Sequence, residues 1–111
     1  MPPLEMLRRK ADFDAIGRHG TVRSSRLLVL RSMRTSGSRT RIGLSTPRSL
    51  GGAVQRNRVR RRLRELVREQ LKATEVGLDL LLIARPEAAA ASFADLRETV
   101  RSLFERSGIG G

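Results

Sequence analysis

The sequence predicts an α+β domain, a single α/β sandwich of one sheet covered by helices, with elements in the order α-β-β-β-α-β-α. Three observations carry that expectation. Residues 53–71 place Val59, Leu63, Leu66, Val67 and Leu71 at i, i+4, i+7, i+8 and i+12, one apolar stripe at helical spacing. Two extended segments, 27–33 and 41–46, flank a Gly/Ser-rich loop. A continuous apolar run after Asp79 stops at Arg85-Pro86, the pattern of a buried strand. At 111 residues the chain accommodates one compact domain, 1–111, and no second domain of ordinary size.

Taken in order, residues 1–10 read as a basic tail whose order the sequence leaves open. Ala11 to Arg18 is a short helix stopped by His19-Gly20. A weaker strand covers Thr21 to Ser24. Leu27 to Met33 and Arg41 to Thr46, joined through the loop 34–40, predict an antiparallel hairpin. Pro47 cannot donate to a ladder and ends the second of these strands. The long helix of 53–71 follows and Gly77 closes it; Asp79 to Ala84 is the last strand. The final helix opens at Ser92, whose hydroxyl can cap the first turn, with Asp95 three residues on as in a capping box. Phe93, Leu96, Val100, Leu103 and Phe104 form its buried stripe, and Gly108 ends it.

Composition excludes several chemistries. There is no cysteine, so disulfides, thiolate metal sites and cysteine nucleophiles are out. One histidine cannot build a His-based zinc site. His19, beside Gly20, reads as a turn residue. Asp12 and Asp14 lie two apart on a helix and diverge, so they are not a paired-carboxylate site. No residue is expected to be catalytic, and no metal site is expected in the chain itself. No apolar run approaches the length needed to cross a bilayer, and the first ten residues lack a signal-like apolar stretch. A cytoplasmic location is expected.

The formal net charge is +12, which calls for a polyanionic partner, nucleic acid before anionic membrane. The charge is unevenly placed. Residues 1–55 carry a net +8 and residues 56–72 a net +6, whereas residues 73–111 carry −2. Half of the net charge therefore sits in seventeen residues. At about 100° per residue, Asn57, Arg60, Arg61, Arg64 and Arg68 fall together beside the apolar stripe, and Glu65 and Glu69 fall on another side with Arg58 and Arg62. The acids are expected to pair at i,i+3 or i,i+4 with Arg61, Arg62, Arg68 and Lys72. A merely solvated exterior would intersperse the signs. Seven of the eight cations of 56–72 are arginine, whose planar fork grips phosphate oxygens in pairs.

Read together, Arg41-Ile-Gly-Leu-Ser45 and Gly51-Gly-Ala-Val-Gln-Arg56-Asn57-Arg58-Val-Arg60-Arg61-Arg-Leu-Arg64 closely resemble the bacterial ribonuclease P protein component. That family carries R-V-G-x-S on a strand, then G-N-A-V-x-R-N-R and K-R-x-x-R. Ala11-Asp12-Phe13, His19-Gly20 and Asp79 to Pro86 resemble its N-terminal aromatic segment, its H-G turn and its D-x-x-x-x-A-R-P strand end. The chain departs from the family at Leu28 and Arg31, where Phe and Tyr are common, at Pro47-Arg48-Ser49, which replaces S-K-K, and at Gly52, which replaces Asn.

The resemblance implies a ribosomal protein S5 domain 2-like fold with a left-handed β-α-β crossover, where general rules would choose a right-handed one. It also implies the protein subunit of a ribonucleoprotein whose RNA is the catalyst and which removes the 5′ leader of precursor tRNA. The subunit would broaden the substrate range and lower the Mg²⁺ requirement, with Mg²⁺ held by the RNA and the scissile phosphate. Arg56, Asn57, Arg58, Arg60, Arg61 and Arg64 match the motif that contacts the RNA subunit, and Arg68 extends that strip by one turn. A cleft between this helix and the sheet would take the leader. Phe13 would line it as a stacking ring, with Arg9, Leu28, Arg31, Arg41 and Arg48 around it. The implied partners are the ribonuclease P RNA and precursor tRNA, with no membrane and no small-molecule substrate. A ribosomal or other structural RNA-binding protein without a catalytic role is the alternative. A nuclease acting alone is disfavoured by the missing catalytic cluster.

Overall fold

The computed structural model describes residues 4–37, 39–71 and 77–109, so Lys72 and the first three residues of the expected tail lie outside the described residues. Its elements are β1 (Glu5–Met6), α1 (Lys10–His19), β2 (Thr21–Ser24), β3 (Leu28–Arg34), β4 (Arg41–Ser45), α2 (Ala53–Gln70), β5 (Leu78–Ala84) and α3 (Phe93–Arg106). Short 3₁₀ turns cover Arg48–Leu50 and Pro86–Ala90. Every expected helix and strand is present, with bounds that differ by about one residue, the usual fraying of element ends.

β5 organises the sheet. Five of its seven residues are buried and the other two half-buried, so both of its faces must be covered. The strand order is β1-β4-β5-β3-β2, with β5 parallel to β4 and antiparallel to β3. The expected β3–β4 hairpin does not form, because β5 inserts between the two strands and uses the edges that would have paired. The loop after β3 must then span two strand spacings, about 10 Å. It does so over Gly77: Thr35 N–H donates to the Gly77 carbonyl at 3.1 Å, and a Cβ on Gly77 would stand 1.9 Å from the Gly37 carbonyl oxygen. Only glycine fits beneath that loop.

The N-terminal segment is a second departure. Glu5 and Met6 pair in parallel with Arg41 and Ile42, and Leu7 is buried with its N–H donated to the Ile42 carbonyl at 2.8 Å. Residues 4–7 are therefore an edge of the sheet rather than a free tail. Two paired residues are too few to leave a periodic signal in the sequence.

Strand alternation separates the two faces. Leu28, Leu30, Ile42, Leu78, Leu80, Leu82 and Ala84 join the buried stripes of α2 and α3 in one core. Residues of opposite parity (Val29, Arg31, Arg41, Gly43, Asp79, Leu81, Ile83) face α1, whose Ile16 is buried outside that core together with Leu7. The capped start of α3 is as the sequence implied: Ser92 Oγ accepts from Asp95 N–H at 3.0 Å. At its other end Gly108 and Ile109 donate to the carbonyls of Glu105 and Phe104, and Ile109 is buried.

Candidate nucleic-acid interface

α2 exists because its apolar stripe has a core to enter. Val59, Leu63, Leu66 and Val67 are buried, and the 18-residue helix contains neither Gly nor Pro to interrupt it. That burial turns the remaining positions outward. Asn57, Arg58, Arg60 and Arg61 are exposed, while Arg56, Arg62, Arg64 and Arg68 are half-buried. Arg56, Arg60, Arg64 and Arg68 stack at i,i+4 along about 18 Å of the helix. Arg60 Nη2 donates to Thr46 Oγ1 at 2.7 Å, tying the helix to the end of β4. The Nε–H groups of Arg56 and Arg64 are buried without an acceptor, an unmet demand on the same edge.

Of the pairings expected for the two acids, Glu65 forms the i,i+3 one, accepting from Arg68 Nη1 at 2.5 Å, whereas Glu69 turns instead to Arg97 of α3 at 3.6 Å. Arg68 is about 60° from Glu65 on the wheel, within reach for an i,i+3 pair, so the acid-free strip ends at Arg64. Among the described residues, Arg56, Arg58, Arg60, Arg61, Arg62 and Arg64 have no carboxylate partner.

The expected cleft between α2 and the sheet is filled by the core just described. The half-covered face is the other one, under α1. Phe13 lies there, half-buried, with its ring on the backbone of β4: a Cβ built on Gly43 would come 2.6 Å from Phe13 Cε1 and 3.3 Å from Leu81 Cδ1. Arg31 sits opposite Leu81 in the ladder and is half-exposed on the same face, beside the exposed Val22. Leu28 does not belong to this set. It is fully buried on the α2/α3 face, because its parity along β3 is opposite to that of Arg31. Arg9 is exposed just before α1, and Arg48 is exposed on the 3₁₀ turn.

Arg41 is on the half-covered face but is not free. Its Nε and Nη2 donate to Asp79 Oδ1 and Oδ2 at 2.9 and 2.7 Å, and its Nη1 and Nη2 reach Asp12 at 3.4 Å. Among the described residues Asp79 is one of two buried polar side chains, with Thr46. The hydrogen bonds to Asp79 foremost, helped by its charge and that of Asp12, hold the Arg41 guanidinium above its ordinary pKa. Asp14 and His19 are exposed. Among the described residues no group of three or more His, Asp or Glu side chains gathers that could hold a metal ion.

The family model described as Ribonuclease P matches residues 1–108. The chain belongs to the ribonuclease P protein family. It is 40% identical over 108 residues to the ribonuclease P protein component of Acidothermus cellulolyticus, covering 96% of this chain and 90% of that protein. With the component of Symbiobacterium thermophilum it shares 36% over 104 residues, 93% and 90% of the two chains. Among solved structures, the RNase P protein of Staphylococcus aureus superposes with a TM-score of 0.88 at 22% identity, over 96% of this chain and 97% of that one. The RNase P protein of Thermotoga maritima gives 0.81 at 26%, over 92% and 96%. Both carry the same sheet and helices, which settles the architecture. Membership makes this chain the protein subunit of a tRNA-processing ribonucleoprotein.

Sequence reading passed over three of the residues that shape the site: Thr46, Asp79 and Gly43. Gly43 and Asp79 stood inside recognised motifs, but their partners are brought to them only by the tertiary fold.

Proposed function

We propose that the arginine edge of α2 docks the ribonuclease P RNA and that the half-covered face beneath α1 receives the 5′ leader of precursor tRNA, while hydrolysis takes place in the RNA. The observation that supports docking is the set of six α2 arginines without carboxylate partners. Guanidinium groups that bind phosphates release condensed counterions, and those already neutralised by carboxylates release far fewer. The ring of Phe13 and the cation of Arg31 supply a sequence-tolerant stacking surface and a phosphate contact on the other face.

The carboxylates among the described residues do not fit a metal site. Asp12 and Asp79 are both engaged by Arg41, and no third ligand stands with them among the described residues. In this reading Mg²⁺ belongs to the RNA and the substrate, and the protein's part is to screen RNA–RNA repulsion, which widens the substrate range and lowers the Mg²⁺ required. The setting is the cytoplasm, where precursor tRNA is processed.

Reconstitution tests the reading. The purified protein is combined with its cognate ribonuclease P RNA and a precursor tRNA at low Mg²⁺, and 5′ maturation is followed. Stimulation over RNA alone is expected. No stimulation contradicts the proposal, and cleavage by the protein without RNA moves the catalyst into this chain.

A further inference from the structure

Arg41 was expected to contact the leader, yet two carboxylates occupy its guanidinium. Asp79, only 2% exposed, takes Nε and Nη2 in a fork-to-fork arrangement, and Asp12 approaches from α1 at 3.4 Å. A phosphate would have to displace one of them and would face a cluster whose formal charge is already −1. The next residue of α1 after Asp12 is Phe13, and its ring rests on Gly43, two residues beyond Arg41 on the same face of β4. Adjacent residues of α1 are thus seated on alternate residues of one strand, one by charge and one by shape.

From this juxtaposition we infer that Arg41, Asp79, Asp12 and Gly43 form a latch that seats α1 on β4 and fixes the ring of Phe13 over the half-covered face, which makes Arg41 a positioning residue rather than a leader contact. The inference rests on the proposed use of that face for the leader. Asp79 anchors Arg41 from the neighbouring strand, since a buried carboxylate with both oxygens bonded to one fork holds the guanidinium in a single orientation. Asp12 is the weaker and more exposed arm, so α1 can be loosened there without emptying the buried pair. Gly43 sets the depth of the ring, because a methyl group at that position would occupy the space of Phe13 Cε1.

Two variants probe the latch in the reconstituted holoenzyme. Asp12→Asn removes the charge arm, and Gly43→Ala lifts the ring. Two readouts are taken: hydrogen exchange of the α1 amides, and the ratio of affinities for leader-bearing precursor and mature tRNA. Faster α1 exchange in Asp12→Asn is expected, with Asp12→Glu restoring protection. Each variant should lower the precursor preference by about three- to tenfold, the lower part of the range of coupling between side chains in contact, and neither should lower it further in a Phe13→Ala background. Affinity for the RNA subunit should be unchanged. Unchanged α1 exchange overturns the latch. Loosened α1 with intact precursor preference, while Phe13→Ala alone reduces it, overturns the positioning role. If Phe13→Ala itself leaves the preference intact, the leader face is wrong and the positioning role falls with it, whereas the exchange data still judge the latch.

Discussion

α2 and α3 lie against one another on the same face of the sheet and are built on one plan. Each buries four side chains in a single stripe: Val59, Leu63, Leu66 and Val67 in α2, and Leu96, Val100, Leu103 and Phe104 in α3. Their outer surfaces differ. On α3, Arg101 is bonded to both Glu98 and Glu105, Arg97 pairs with Glu69 while lying 4.9 Å over the Phe93 ring, and Arg106 donates to the Ser24 carbonyl. On α2, six arginines have no acid partner among the described residues, and Arg68 is the one that does. Counting cations does not separate a phosphate-binding helix from a structural one. What separates them is whether the fold has already spent the guanidinium donors.

The comparison breaks if the two helices do not share a core. Leu63→Ala and Leu103→Ala each empty a buried site and should each cost about 2–5 kcal/mol in urea unfolding. A loss well under 1 kcal/mol in either would show that helix to be an appendage rather than half of one layer.

The next effect is smaller and separates stability from RNA binding. Ser92→Ala removes the acceptor for the Asp95 N–H and should cost about 1 kcal/mol of stability. Its affinity for the RNA subunit, measured well below the unfolding transition, should equal that of the wild type. Weakened RNA affinity would mean that α3 also takes part in docking.

The smallest effect reads the paired charges of α3 directly. The hydrogen bond from Arg101, with the charge of that residue, lowers the pKa of the exposed Glu98 below its ordinary value. A depressed carboxylate contributes stability above its unfolded-state pKa and loses it as pH falls through the folded-state value. Glu98→Gln should therefore lower the melting temperature slightly at neutral pH, and the difference should fade in acid. A difference that grows on acidification would contradict the pairing.

The helical parts of this molecule were legible because their information is local. The i, i+4, i+7 stripe of α2, the Ser92 cap and the Gly108 stop are all read within a few residues. The resemblance to ribonuclease P proteins supplied the architecture that those local signals do not order. The rest was hidden in non-local pairing. Nothing near β3 or β4 announces that β5, more than 30 residues downstream of β4, will part them. Leu28 was misplaced because a motif position carries no parity, and one residue of slip moves a side chain to the opposite face. Arg41 looked like a free cation because Asp12 and Asp79 stand 29 and 38 residues away in the chain. Arg68 lies at the edge of the strip and is also an i,i+3 neighbour of Glu65, and the structure realises the second of these two expected roles.

The most direct test of the account compares two charge deletions of equal size. The salt dependence of RNA-subunit binding is measured for Arg61→Ala/Arg64→Ala in α2 and for Arg97→Ala/Arg101→Ala in α3. Each unpaired arginine that binds a phosphate contributes about 0.7–0.9 to the slope of log affinity against log salt. The α2 pair should therefore flatten the slope by about 1.5, and the α3 pair should leave it as it is. Equal flattening by both pairs, or by neither, would contradict the claim that α2, and not α3, presents its unneutralised arginines to the RNA.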